Sequence, residues 1–312
     1  MIRGKSPLRI SLAGGGTDLN YIFEKYGGAV VNCTIDKYCH MSIEKRDDRM
    51  IYVNNEILDG IRDLLATKVY EFYKPQFGFN LIYYNDIQPG SGLGSSSSFI
   101  VLLLTLLYQL DGIVKSDEEI VKEAYEIDNS VKEGGWQDQY ATSIGGFNFM
   151  EFNEKTLVYP LRLRYRFLQE LQEHLMLIYI GGSKENRDIH KELREYSEWN
   201  PEEMQKTIKI KSLAFRMRDC LLNQKLEDIP KILNENWKFK RNQFTSNPKL
   251  DLIYETALEN GAEGGKLCGA GQAGHFLFFV KPENRARLMK SLEDYKIVNF
   301  NLTNAGCETW TI

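Results

Sequence analysis

Between Pro89 and Ser98 the chain reads P-G-S-G-L-G-S-S-S-S and then runs straight into F-I-V-L-L-L-T-L-L. Gly90, Gly92 and Gly94 permit positive φ and let the backbone approach a ligand closely, while Ser95 to Ser98 offer hydroxyls that suit a helix cap. A helix starting here turns unsatisfied N–H groups and about half a positive charge toward whatever lies in front of it. That arrangement fits a polyphosphate and needs no lysine. No Gly-Lys-Ser/Thr follows, so this is not a Walker loop. A flexible Gly/Ser linker rarely leads directly into an apolar run. The expected nucleotide contacts are therefore Pro89, Gly90, Ser91, Gly92, Leu93, Gly94, Ser95, Ser96 and Ser97.

The rest of the chain bounds the alternatives. At 312 residues, 43% hydrophobic and 26% charged, it has the makings of two globular domains. A net charge of −4 with scattered basic residues leaves no footprint for nucleic acid. The longest apolar run, Phe99 to Leu107, is about half of what a bilayer requires, and the N-terminus lacks a signal-peptide core. No membrane association is expected. Cys33, Cys39, Cys220, Cys268 and Cys307 are odd in number and contain no C-x-x-C pair, which favours small buried residues in a reducing, cytoplasmic setting.

Along the sequence, L-R-I-S-L-A alternates as a strand and G-G-G-T-D turns it into a short helix closed by Gly27-Gly28. Strand-like runs follow at 29–35, 40–45 and 50–53, then a helix near 59–74 and a strand F-N-L-I-Y-Y-N ahead of the glycine loop. A buried helix covers 99–110. Ser116 with Glu119 forms a capping box for a helix over 117–131. G-G-F-N-F-M-E-F closes the first half as a strand. The second half carries helical stretches near 184–198, 201–223, 226–244 and 248–260, the loop G-G-K-L-C-G-A-G-Q-A-G, a strand H-F-L-F-F-V, a helix from Pro282 to about Tyr295 and a closing strand. The expectation is an α+β chain divided into 1–160 and 161–312.

Three glycine-bearing loops, at 14, 90 and 269, joined to an acidic helix that leads to Q-D-Q, resemble the GHMP small-molecule kinases over nearly the whole chain. P-L-R-I-S-L-A-G-G-G-T-D-L resembles the family's substrate motif, P-G-S-G-L-G-S-S-S-S its nucleotide motif, and G-G-K-L-C-G-A-G its C-terminal loop. The A-G-G-G-T-D opening, with G-G-W-Q-D-Q-Y and G-G-F-N-F-M-E-F, is most similar to heptose 7-phosphate kinases and, more distantly, to fucokinase-type domains. The resemblance implies a ribosomal protein S5 domain 2-like N-terminal domain and a ferredoxin-like C-terminal domain, with ATP and Mg²⁺ as cofactors. It also implies transfer to the anomeric hydroxyl of a sugar phosphate. A homodimer stays open, as do a fucokinase-like activity on a free sugar and a catalytically silent sensor on the same fold.

Carried over by position, Ser96 and Glu126 would hold Mg²⁺, with Asp128 as the rival carboxylate, and Asp138 would orient and deprotonate the sugar hydroxyl. Gly15, Gly16, Thr17 and Asp18 would face the sugar, although Asp at that position also caps helices well. Arg9 would contact phosphate or stabilise the base. Gly269 and Gly271 would lie by the nucleotide, but Gln272, Ala273 and His275 depart from the glycines usual after them. His275 is expected to be a hydrogen-bonded structural histidine. For a substrate phosphate the cationic candidates are Lys5, Lys184, Arg187 and Lys266, with Lys184 and Arg187 beside a helix start.

Overall fold

The computed structural model describes residues 1–88, 90–181, 188–198 and 200–312. The chain opens with β1 (Ile2–Ala13), whose last eight residues are buried without interruption because helices and sheet neighbours enclose them. After the first glycine loop come α1 (Asn20–Tyr26), the nineteen-residue β2 (Gly28–Arg46), β3 (Ile51–Val53), β4 (Glu56–Ile57), α2 (Leu64–Tyr73) and β5 (Gly78–Asn85). The N-terminal half ends with α3 (Ser95–Leu110), α4 (Asp117–Val131), α5 (Gln137–Ile144), β6 (Phe147–Phe152) and β7 (Thr156–Pro160).

Two runs expected as separate strands are one. β2 pairs along one edge with β1; along the other it pairs first with β6 over Gly28–Cys33 and then with β5 over Cys39–Arg46. This split lets α3 and α5 lie over the same sheet, and α3 packs on β1, β2, α4 and α5. Its apolar all-round sequence is thereby explained, since Phe99 to Leu107 is buried except for Thr105. The Ser116–Glu119 capping box starts α4 as expected. The eight-residue α5 was not legible, because it follows two glycines and has no long apolar period.

The C-terminal half runs α6 (Tyr165–His174), β8 (Leu175–Gly181), α7 (Ile189–Glu198), α8 (Pro201–Leu222), α9 (Ile229–Lys240), α10 (Pro248–Glu259), β9 (Ala262–Leu267), β10 (Gly274–Val280), α11 (Arg285–Ser291), β11 (Lys296–Val298), β12 (Leu302–Thr303) and β13 (Glu308–Thr311). Asn200 and Asn247 cap α8 and α10 through side-chain oxygens, each followed by a proline preset for the first helical turn. β11, β8, β10 and β9 form a four-stranded antiparallel sheet with helices packed against it, the ferredoxin-like layer.

The division at 160 is proposed on this change of sheet, but the tail crosses it. β12 pairs with β2 and β13 with β1, so the final residues belong to the first sheet. One core also joins the halves: Leu8, Ile10 and Phe149 pack in the same cluster as Leu213, Met217, Leu277 and Phe279. The three glycine loops meet where the two sheets approach.

Candidate active site

A cleft of about 290 Å³ opens between the halves, lined by all three glycine loops. β1 delivers Arg9 to its floor, where the side chain is only 4% exposed. Arg9 donates from Nε to Asp138 Oδ1 and from Nη2 to Asp138 Oδ2, both at 2.6 Å, and from Nη1 to the carbonyl of Gly92 at 2.7 Å. Its own backbone N–H reaches the carbonyl of Leu93 at 2.9 Å. One residue therefore ties the glycine loop to a carboxylate in the first turn of α5. The bidentate fork fixes the Asp138 carboxylate in a plane as a single-point contact would not.

Asp18 is 1% exposed and accepts from the N–H groups of Gly16 at 2.9 Å and Gln137 at 3.0 Å. Burial pushes its carboxyl up from the usual range, and the charge of Asp138 adds to that, while the hydrogen bonds work against it. A side chain at Gly135 would collide with this carboxylate, which is why the G-G-W turn can close over it. Asp18 is not the cap of α1, whose N-cap is Leu19. It aims at the cleft with Gly15 and Gly16. Thr17 does not face a sugar: it is fully buried, its hydroxyl donates to the carbonyls of Gly14 and Ala29, and it accepts from the N–H of Ala29. Those bonds stitch the first loop to β2.

In the nucleotide loop, Gly90, Gly92 and Gly94 all have φ near +75°. The expectation that serines cap α3 fails: Gly94 occupies the cap position with no side-chain bond, and the serines lie inside the first turn. Their hydroxyls serve another purpose. Ser96 and Ser97 donate to the two oxygens of Asp128 at 2.6 Å each, and Gln139 Nε2 adds a third bond at 3.1 Å. Burial raises the Asp128 carboxyl above its usual range against these bonds. Leu93 sits in the core and Ser91 is buried, so neither side chain reaches the cleft.

The carboxylate beside Ser96 is therefore Asp128 and not Glu126. Two residues along a helix rotate a side chain by about 200°, which leaves Glu126 exposed on the outer face of α4. Ser96 Oγ and Asp128 supply hard oxygen donors of the kind Mg²⁺ takes when it keeps several waters and shares phosphate oxygens. Among the described residues no cluster of three or more His, Cys, Asp or Glu side chains could hold a metal alone. The donor set fits an ion that arrives with a nucleotide.

The third loop closes the cleft. A Cβ on Gly269 would lie 2.5 Å from the Gly92 Cα, so both positions must be glycine for the two loops to touch. Gly271 packs instead against Thr245 and does not line the cleft. Gln272, in place of a further glycine, has φ +64° and donates from Nε2 to the carbonyls of Phe244 at 2.9 Å and Ser246 at 3.0 Å, fastening the loop to the segment before α10. His275 is the expected structural histidine, with Nδ1 at 2.8 Å from the carbonyl of Ser91.

Two lysines complete the wall. Lys240, at the end of α9, donates to the carbonyl of Gly269, and burial with nearby Arg9 pulls its ammonium down to about 8. Lys266, 2% exposed, donates to the carbonyl of Ser11 at 2.6 Å, and burial with the Lys240 charge lowers it to about 7.

Family models give this geometry its context: one for the N-terminal domain of GHMP kinases matches residues 62–146, and one for the GHMP kinase C-terminal domain matches 217–295. A protein from Campylobacter jejuni subsp. jejuni serotype O:2 described as D-glycero-alpha-D-manno-heptose 7-phosphate kinase is 36% identical, covering 100% of this chain and 99% of its own. The chain belongs to the GHMP kinases. It is a phosphotransferase acting on a hydroxyl group. The crystal structure of a D-glycero-D-manno-heptose 1-phosphate kinase from Bacteroides thetaiotaomicron, 28% identical, superposes with a TM-score of 0.80 over 100% of this chain and 99% of that one. A bifunctional fucokinase/GDP-fucose pyrophosphorylase from Arabidopsis thaliana is 24% identical across 95% of this chain and 32% of its own length.

For this GHMP kinase the cleft brings together Arg9, Gly15, Gly16, Asp18, Gly90, Gly92, Gly94, Ser95, Ser96, Ser97, Asp128, Asp138, Lys266 and Gly269 of the expected residues. Pro89, Lys184 and Arg187 lie outside the described residues. Lys5 pairs with Glu308 at 3.2 Å across β1 and β13 and takes no part. Sequence reasoning missed Lys240 and His190, both in the lining. The only signal for Lys240 was its place at the end of a helix, where a lysine usually complements the dipole. All five cysteines are free and four are buried. No described helix is long and apolar enough to cross a membrane.

Proposed function

We propose that this protein is an ATP- and Mg²⁺-dependent sugar kinase that phosphorylates the anomeric hydroxyl of D-glycero-D-manno-heptose 7-phosphate to the 1,7-bisphosphate. The observation that carries the reading is the bidentate Arg9–Asp138 pair, set in the cleft between the start of α3 and the buried Asp18. Family membership supports ATP as the donor, and the relatives' descriptions support a heptose that bears a phosphate.

In this reading Gly90, Gly92 and Gly94 and the first turn of α3 cradle the nucleotide phosphates, since among the described residues no side chain caps that helix start. Bound there, Mg²⁺ would neutralise phosphate charge, held by Ser96 and Asp128. Asp18, with Gly15 and Gly16, orients the sugar hydroxyls. Asp138 accepts the proton of the C1 hydroxyl as that oxygen forms its bond to the γ-phosphorus; the bond to the bridging oxygen breaks and ADP leaves. Arg9 keeps Asp138 pointed at the acceptor and anchors the glycine loop through Gly92. Positioning and charge stabilisation supply most of the catalysis in such a transfer.

The test is ADP release with ATP and Mg²⁺ over a panel of D-glycero-D-manno-heptose 7-phosphate, mannose, mannose 6-phosphate, fucose and galactose, with phosphorus NMR of the product. The expected result is turnover of the heptose phosphate with a new phosphate at C1. Turnover of a free sugar alone would replace the reading with a fucokinase-like one. Bound ATP with no turnover of any sugar would replace it with a sensor.

A further inference from the structure

The wall of the cleft opposite α3 carries more positive charge than transfer from ATP requires. Lys240 and Lys266 both line it, and each makes its hydrogen bond to a backbone carbonyl. Neither has a carboxylate within ion-pair distance among the described residues. Holding two ammonium groups near one another with no carboxylate in ion-pair contact, Asp18 and Asp138 acting only from further off, is unfavourable, and an anionic ligand would relieve it. Two polar atoms beside them have no partner among the described residues: Ser11 Oγ and His190 Nδ1 are buried and unbonded, and both residues line the same cleft. On the other wall the carboxylates are matched: Asp128 accepts from Ser96, Ser97 and Gln139, and Asp138 pairs with Arg9.

We propose that Lys240 and Lys266, edged by His190 and Ser11, form the subsite that takes the phosphate already carried by the sugar. This rests on the reading that the substrate arrives phosphorylated. The placement suits it. The lysines stand on the C-terminal half, on the last turn of α9 and on β9, while the nucleotide cradle is built by the N-terminal half. A sugar lying over Asp18 and Asp138 can then offer one end to the cradle and the other to the lysines. Lys240 is also tied to Gly269, whose Cα abuts Gly92, so filling the subsite bears directly on the contact between the second and third loops. Burial lowers His190 to about 4, so in the free protein its ring is neutral at about pH 7 and adds no further charge to the wall.

The deciding experiment compares the wild type with Lys240→Met and Lys240→Arg, using D-glycero-D-manno-heptose 7-phosphate and the same heptose without its phosphate. Wild-type turnover of the phosphorylated sugar is established first. If the wild type ignores it, the substrate reading fails and the subsite falls with it. Given that activity, Lys240→Met is expected to raise KM for the heptose 7-phosphate by about 10- to 100-fold, the scale of one charged hydrogen bond. The preference for phosphorylated over unphosphorylated heptose should fall by at least about tenfold, KM for ATP should stay within about twofold, and Lys240→Arg should recover most of the loss. An unchanged KM for the sugar phosphate overturns the subsite. So does a rise in KM for ATP instead, which would assign the lysine to the nucleotide. Lys266→Met gives the same readouts if Lys240→Met fails to fold.

Discussion

The two walls of the cleft solve opposite electrostatic problems. On the α3 side the two carboxylates are answered within the protein: Asp128 holds two serine hydroxyls and an amide, and Asp138 holds a guanidinium in two bonds. On the β9 side Lys240 and Lys266 bond, among the described residues, to carbonyls alone. A wall satisfied in the free protein is preorganised, and reaction there costs little rearrangement. A wall with excess charge gains most when its ligand binds, which suits recognition better than chemistry.

The largest effect that would sharpen this contrast lies at Asp138. Asp138→Asn should lower kcat by about 10² to 10⁴, the span of a lost proton acceptor, with nucleotide binding, measured by calorimetry, retained. Full turnover in this variant would remove Asp138 from the chemistry. Next comes Asp128→Asn, expected to cost about 10²-fold in Mg²⁺-supported turnover. Glu126→Gln should stay within about twofold in the same Mg²⁺ titration. Equal losses in the two would put the metal back on the outer face of α4.

A pH series tests the unpaired wall. Lys240 is depressed to about 8 in the free protein, so it is charged below that pH and loses its proton above it. The groups facing it are Arg9, Asp18, Asp138, Cys268, Lys266 and His190. A sugar phosphate becomes a dianion above about pH 6. KM for it should therefore be lowest between about 6 and 7, begin to rise as Lys266 loses its proton at about 7, and rise several-fold by about pH 9. In Lys240→Arg, whose charge does not titrate there, the rise attributable to this residue should vanish.

The smallest effect is on stability. Lys266 has a folded pKa below its unfolded value, so its burial penalty is full at pH values under about 7 and is relieved as pH rises toward the unfolded lysine range. Removing the charge with Lys266→Met should leave the free protein as stable or raise it by about 1 kcal/mol near neutral pH, since apolar replacements of buried charges are often neutral or stabilising. Thermal unfolding without ligand reads this, and a loss of several degrees in Tm would show that the Lys266–Ser11 bond holds the halves together.

How much of this was legible varied with the range of the interactions. The α3 run, the Ser116 capping box and the helical stretches that became α8 and α10 are local signals, and the structure keeps them. The glycine loops could be read because positive φ and close approach narrow the choice of residue. Glu126 and Thr17 were misplaced for a shared reason: the sequence shows a residue near the right loop but not its direction. A turn of about 200° put Asp128 inside and Glu126 outside, and a buried hydroxyl with three backbone partners turned Thr17 toward β2. The serines after Gly94 looked like caps because serine caps helices well, yet a carboxylate from α4 claimed them.

By itself the sequence determined that this chain carries a phosphate cradle backed by a buried helix, a second glycine loop with Asp18, and an Asp138 flanked by glutamines. These follow from backbone freedom, helix polarity and apolar periodicity, which act over a few residues. Only the tertiary structure decided that Arg9 grips Asp138 across 129 positions, that Asp128 and not Glu126 meets Ser96, and that Lys240 and Lys266 share one wall. Side-chain direction and the balance of buried charge depend on which distant segments meet, and those meetings are made by packing β1, α3, α5 and β9 around one cleft.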